Sequence, residues 1–268
     1  MTYINYFLFF IIIFFTHIIN SITGFAGTVL SMPFGIMLVG YPAAKPLLNV
    51  FGLGCGLYVF WGNRQYVIWR EVQKIVLIMG AGILVGIRIK ERVIQQQSSM
   101  YLILGVFVIL LSIPGLIKQL RKHKEVKQED TNADGHQVSV QVVNKNDGFK
   151  MSPLLYLLPP LAGVVHGIFV SGGPLLIGYL AKKLTDKNEF RATISTIWIF
   201  LNGMVLFDDI RSGLWTKEEC LITLASIPFL VGGMCIGTYF YNKLSQRTFM
   251  ILSYVLLLIM GITLLLKT

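Results

Sequence analysis

"GIFVSGGPLLIGYL", residues 167–180, is apolar enough to lie in a bilayer, yet Gly172, Gly173 and Pro174 interrupt it midway. Proline lacks a backbone donor, and glycine disfavours helix. In hydrocarbon every backbone polar group needs a partner inside the protein, so a break at membrane depth is tolerated only where it lines a cavity. An earlier stretch, "TGFAGTVLSMPFG" at residues 23–35, carries the same anomaly. Breaking a helix frees N–H and C=O groups and aims a positive helix N-terminus at the gap. Free donors plus that dipole make an anion site without a buried charge. The competing reading is that Gly and Pro serve packing and kinks, as they commonly do in membrane helices.

The surroundings of these stretches fix the class. Of 268 residues, 54% are hydrophobic and 13% charged, against about 25% charged in a soluble domain. Mean hydropathy is +0.69. No Lys, Arg, Asp or Glu precedes Lys45. The expected fold class is all-α: a polytopic membrane protein of 8–10 transmembrane segments in two inverted repeats with broken helices. The N-terminal apolar run "MTYINYFLFFIIIFFTHIIN" has no basic residue before it, unlike a secretory signal, and is read as retained. Cys55, Cys220 and Cys235 show no C-x-x-C spacing and are expected to be unpaired.

Apolar runs predict segments at 3–22, 26–41, 44–62, 72–89, 99–117, 153–170, 173–182, 191–208, 218–240 and 247–266. The pieces at 26–41 and 173–182 are short enough to be half-helices. The one polar stretch, 118–151, divides a first transmembrane repeat (1–117) from a second (152–268). Five segments per half would invert one half relative to the other. With 118–151 in the cytoplasm, the inside loops carry 16 Lys/Arg and the outside loops 7, a bias that sets both termini outside. The cluster "RIKER" at 88–92 runs against it. The net charge of +10 therefore encodes membrane orientation, and no nucleic-acid partner is expected.

Near the breaks stand neutral hydrogen-bonding side chains: Asn20, Ser21, Thr23, Thr28, Ser31 and Ser171. Lys45 and Arg191 occupy comparable places in the two halves, in "AAKPLLN" and "EFRATIS". Either they draw anions into the path or they are interfacial cations that snorkel. Asn49 and Asn202 lie inside segments and bond either a neighbouring helix or a substrate. The segment interiors lack Asp and Glu, with Asp208 and Asp209 placed at a helix end. His17 and His166 are the ionisable groups at depth, and His166 abuts the second break. A histidine there suits either a coupling proton or a packing hydrogen bond.

The run "GFAGTVLSMP" (24–33) resembles the G-x-G-G-G-x-x-x-x-P signature of the TauE/SafE family of sulfite and organosulfonate exporters. "GIFVSGGP" (167–174) resembles that family's second copy. Ala26 and Thr28 stand at glycine positions of the first copy, and Ser171 at one of the second. The resemblance spans both repeats and implies export of small sulfur-containing anions such as sulfite or sulfoacetate-like sulfonates. The expected substrate-binding set is Asn20, Thr23, Gly24, Gly27, Thr28, Ser31, Lys45, Asn49, His166, Gly167, Ser171, Gly172, Gly173, Arg191 and Asn202. The expected partners are the small anion and the lipid bilayer of the cell membrane, with a homodimer left open; no cofactor is expected.

Other classes fit less well. An intramembrane protease of the G-x-S-G type would need Gly where residue 169 is Phe. A metal transporter would need His, Cys, Met or Asp clusters in the membrane, and the ten methionines are scattered. An anion channel of the same fold, or a carrier of another small anion or metabolite, remains the alternative.

Overall fold

The computed structural model describes residues 3–94, 156–180, 183, 184, 186–241 and 243, with 112–117 and scattered positions between 102 and 120 and between 251 and 266. The expected segments 99–117 and 247–266 lie partly, and the 118–151 linker almost wholly, outside the described residues. Among the described residues the structure is helical without strands. The helices are α1 (Tyr3–Thr23), α2 (Ala26–Asn63), α3 (Trp69–Ile94), α4 (Leu158–Phe169), α5 (Gly173–Leu180), α6 (Lys187–Arg211) and α7 (Lys217–Tyr241). A 3-10 turn at Arg64–Tyr66 follows α2.

Five of these are long and apolar enough to cross a membrane, and α4 is a shorter apolar helix. The side chains are sorted inside out relative to a soluble domain. Leu77 and Leu221 are 76% and 67% exposed, whereas Lys45, Asn49 and Asp209 are fully buried. Lipid solvates the outer apolar surface, so polar groups collect where protein partners exist. The chain is a multi-pass membrane protein.

α2 contains the predicted segments 26–41 and 44–62, divided at Gly40, whose φ of 76° and ψ of 159° leave the helix just before Pro42. α1 and α2 are separated by Gly24 (φ 81°), and α4 and α5 by Val170 (φ 53°). A left-handed backbone is open to glycine and costs a β-branched residue about 1–3 kcal/mol. Val170 is thus held there by its surroundings, and it is 1% exposed.

Two apolar cores form, and each mixes the two halves of the chain. One joins α1 and α2 to α7 and to Ile168 and Phe169 of α4. The other joins α3 to Ala162 of α4 and to α5 and α6. Closest approach is made by glycines spaced four apart, the small-residue packing of membrane helices. A Cβ on Gly82 or Gly86 of α3 would fall 2.3 Å from the carbonyls of Pro160 and Val164 in α4. A Cβ on Gly233 or Gly237 of α7 would fall 2.5 and 2.4 Å from the carbonyls of Phe14 and Ile18 in α1. Phe14 and Pro160, Ile18 and Val164, and the left-handed pair Gly24 and Val170 are each 146 positions apart. The carbonyls of α1 and α4 thus pair at an offset of 146, while the glycines that face them, Gly82 with Gly233 and Gly86 with Gly237, pair at an offset of 151.

Candidate functional site: a cavity between two helix breaks

The two breaks meet. A Cβ on Gly173, the first residue of α5, would lie 3.4 Å from the Phe25 carbonyl at the start of α2. Beside this junction is a cavity lined by Asn20, Gly24, Phe25, Thr28, Gly52, Cys55, Gly56, His166, Val170, Gly173, Ser195, Trp198 and Asn202. Four pairs at the 146-residue offset are among them: Asn20 with His166, Gly24 with Val170, Gly52 with Trp198, and Gly56 with Asn202. The cavity thus draws on matched positions of both halves.

Its walls come from α2 and α6. On α6, Ser195, Trp198 and Asn202 follow one another at helical spacing and share a face. The helix starts where it does because the Asp186 carboxylate accepts from the backbone N–H of Asn188 and Glu189 at 2.8 and 3.0 Å, a side-chain N-cap. Asn49 ties α2 to α6: its Nδ2 donates to the backbone carbonyl of Asn202 at 3.1 Å. At the matched crossing, a Cβ on Gly56 would fall 3.0 Å from the Ser195 carbonyl.

Of the predicted set, Asn20, Gly24, Thr28, His166, Gly173 and Asn202 line the cavity. His166 Nε2 lies 2.9 Å from Asn202 Oδ1, and the imidazole stacks on Trp198 with ring centroids 5.0 Å apart. Asn20 does two things at once. It faces the cavity, and its Oδ1 accepts from the Gly27 N–H at 3.1 Å, capping α2. Thr23 caps the same end, accepting from Ala26 N–H at 3.3 Å.

The remaining predicted residues stand elsewhere. Ser31 donates to the Gly27 carbonyl within its own helix at 2.8 Å and lies 2.5 Å from Thr16 Oγ1. Ser171 donates to the Phe169 carbonyl at 2.8 Å. Gly27 packs on the Asn20 side chain, and Gly167 and Gly172 are packing glycines whose Cβ would meet the carbonyls of Ile83 and Ala162. Lys45 forms an ion pair with Asp209, both fully buried, with Asp208 3.9 Å away and itself paired to Lys90. Asp209 stands at a helix end, in the last turn of α6 before Arg211, and is buried there against Lys45. Arg191 Nη2 donates to the Ser21 carbonyl at 2.7 Å, and its guanidinium lies over Tyr241 at 4.2 Å. His17 accompanies Ile13 in α1, with Nδ1 2.9 Å from that carbonyl.

Sequence reading missed Ser195 and Trp198. Both are buried in the cavity wall, and neither Ser195 Oγ nor Trp198 Nε1 has a hydrogen-bond partner. A buried polar atom left unpaired costs about 1–3 kcal/mol, so such groups mark places where something else supplies the partner. Only their shared face with Arg191 and Asn202 could have singled them out.

Long apolar helices around an interior cavity lined by both apolar and polar side chains define a multi-pass helical membrane protein. The chain belongs to the sulfite exporter TauE/SafE family, whose model matches residues 9–264 of its 268. That is a family of transporters, so the protein is a membrane transporter of sulfite-type anions and not an enzyme. No curated protein and no solved structure matches the chain.

Proposed function

We infer that this chain is a secondary transporter that exports a small sulfur-containing anion, sulfite or an organosulfonate, across the cell membrane, with the anion held in the cavity between the two breaks. The observation that carries the reading is the pair of unpartnered donors, Ser195 Oγ–H and Trp198 Nε1–H, buried beside the junction of α2 and α5. Sulfite and sulfonates each present three oxygens, all acceptors. The Asn202 amide adds a further polar group to the same wall.

Purified protein in liposomes tests this with radiolabelled sulfite, sulfoacetate and methanesulfonate. Uptake should saturate and should be stimulated by unlabelled anion on the far side. Flux that rises linearly without counterflow would mean a channel, and movement of none of the three anions would end the reading. Gly173→Leu should abolish transport while the protein still inserts, because the added Cβ meets Phe25 at ordinary contact distance (nearest atom 3.4 Å) and the rest of the side chain fills the junction. Gly172 serves this test poorly, since any Cβ there strikes the Ala162 carbonyl at 2.3 Å.

A further inference from the structure

Buried charges in this protein are not all balanced. Lys45 has Asp209 and Lys90 has Asp208. Arg191 is only 6% exposed, and among the described residues no carboxylate stands within ion-pair distance of it. Its Nη2 holds the Ser21 carbonyl, Tyr241 covers one face of the guanidinium, and Nε has no partner.

The position of Arg191 ties it to the cavity. Arg191 is not itself part of the lining, but it precedes Ser195, Trp198 and Asn202 by four, seven and eleven residues, so it continues their stripe of α6 one turn beyond the cavity wall. Its Cγ is 3.6 Å from where a Cβ on Gly24 would sit, and Gly24 lines the cavity. Lys45 holds the matched place on α2, 146 positions earlier. The residue matched to Asp209 by the same offset is Asn63, a neutral amide that donates to the Val59 carbonyl at 2.9 Å. One half thus supplies the carboxylate that neutralises its partner's cation, and the other half does not.

We propose that Arg191 is the cationic part of the anion site, binding an oxyanion in the cavity through its free Nε–H, and that Lys45 is withdrawn from that role by Asp209. This rests on the anion-transport reading above. A guanidinium held out of water without a counter-charge is costly, and an anion supplies the missing charge. The planar fork of N–H groups matches two oxygens of a sulfite or sulfonate, which an ammonium group cannot do. The Ser21 carbonyl holds the fork in place, and Ser195 on the next turn offers its hydroxyl to the same ligand.

Binding of sodium sulfite and of sodium methanesulfonate to the purified full chain, measured by calorimetry with melting temperatures taken without anion, tests the assignment. Arg191→Gln should weaken sulfite binding about 10- to 100-fold, the usual loss for a hydrogen bond to a charged group. Arg191→Lys keeps the charge but lacks Nε–H, and should bind several-fold more weakly than the parent. Parent-like affinity in either variant overturns the proposal, and if the Gln variant does not fold the Lys variant decides. If the parent chain binds neither anion, the transport reading itself fails and the assignment falls with it; if the parent binds and the variants match it, only the assignment fails. A purely structural Arg191 would lower the melting temperature and leave the affinity unchanged.

Discussion

In the first half of the chain Lys45 reaches across to Asp209; in the second, Arg191 at the matched position reaches a backbone carbonyl and an aromatic ring. The breaks differ in the same way. At the first, Asn20 and Thr23 cap the new helix with their own side chains, and Arg191 covers the carbonyl end of α1. At the second, Ser171 turns back on Phe169, His166 leaves for Asn202, and the neutral hydroxyl of Tyr41 covers the Ile168 carbonyl. Backbone geometry repeats between the halves, down to a left-handed residue at each break, while charge does not. Close helix contact admits few residue types, so it repeats as glycine. A hydrogen bond or a counter-ion can come from any neighbour, so electrostatics diverge within an unchanged frame.

The orientation of the halves gives the largest effect, an all-or-none one. With Cys220 and Cys235 replaced by Ser, a Gly135→Cys probe in the 118–151 linker should resist a membrane-impermeant thiol reagent in intact cells and react after permeabilisation. Labelling from outside would overturn the cytoplasmic placement of the linker and, with it, the placement of both termini outside.

The charge difference comes next. Asp209→Asn removes the close partner of Lys45, leaving only the longer contact to Asp208 at 3.9 Å, and should cost about 3–5 kcal/mol of stability in denaturant unfolding in detergent. Asn63→Ala, at the matched position, removes one neutral hydrogen bond and should cost about 0.5–1.5 kcal/mol. Lys45→Met with Asp209→Leu should recover most of the loss, because an apolar pair of similar volume often replaces a buried ion pair at little cost. Equal losses for Asp209→Asn and Asn63→Ala would erase the asymmetry.

The smallest expected effect sharpens the repeated part of the comparison. Gly86→Ala and Gly237→Ala each place a methyl against a backbone carbonyl of the facing helix. Each should cost about 1–3 kcal/mol by overpacking, and the two costs should agree within about 0.5 kcal/mol. A loss confined to one would show that the two helix pairs are not packed alike.

The amino-acid sequence alone determined the membrane class, because lipid demands long uncharged runs and those are visible residue by residue. It also marked both breaks, since Gly24, Gly172 and Gly173 are poor helix formers and Pro174 fits only a helix's first turn, and it paired Lys45 with Arg191 by their similar surroundings. What only the tertiary structure decided is which polar groups are already spent. Lys45 is spent on Asp209 of another helix, which nothing in its local sequence reveals, and Thr23, Ser31 and Ser171 are spent on backbone groups two to four residues away. Ser195 and Trp198 are unremarkable in a run of apolar helix until α2 and α4 fold against α6 and leave their polar atoms facing the cavity without a bond. Helical propensity and hydropathy are local properties of the chain; hydrogen-bond satisfaction belongs to whatever the fold brings alongside.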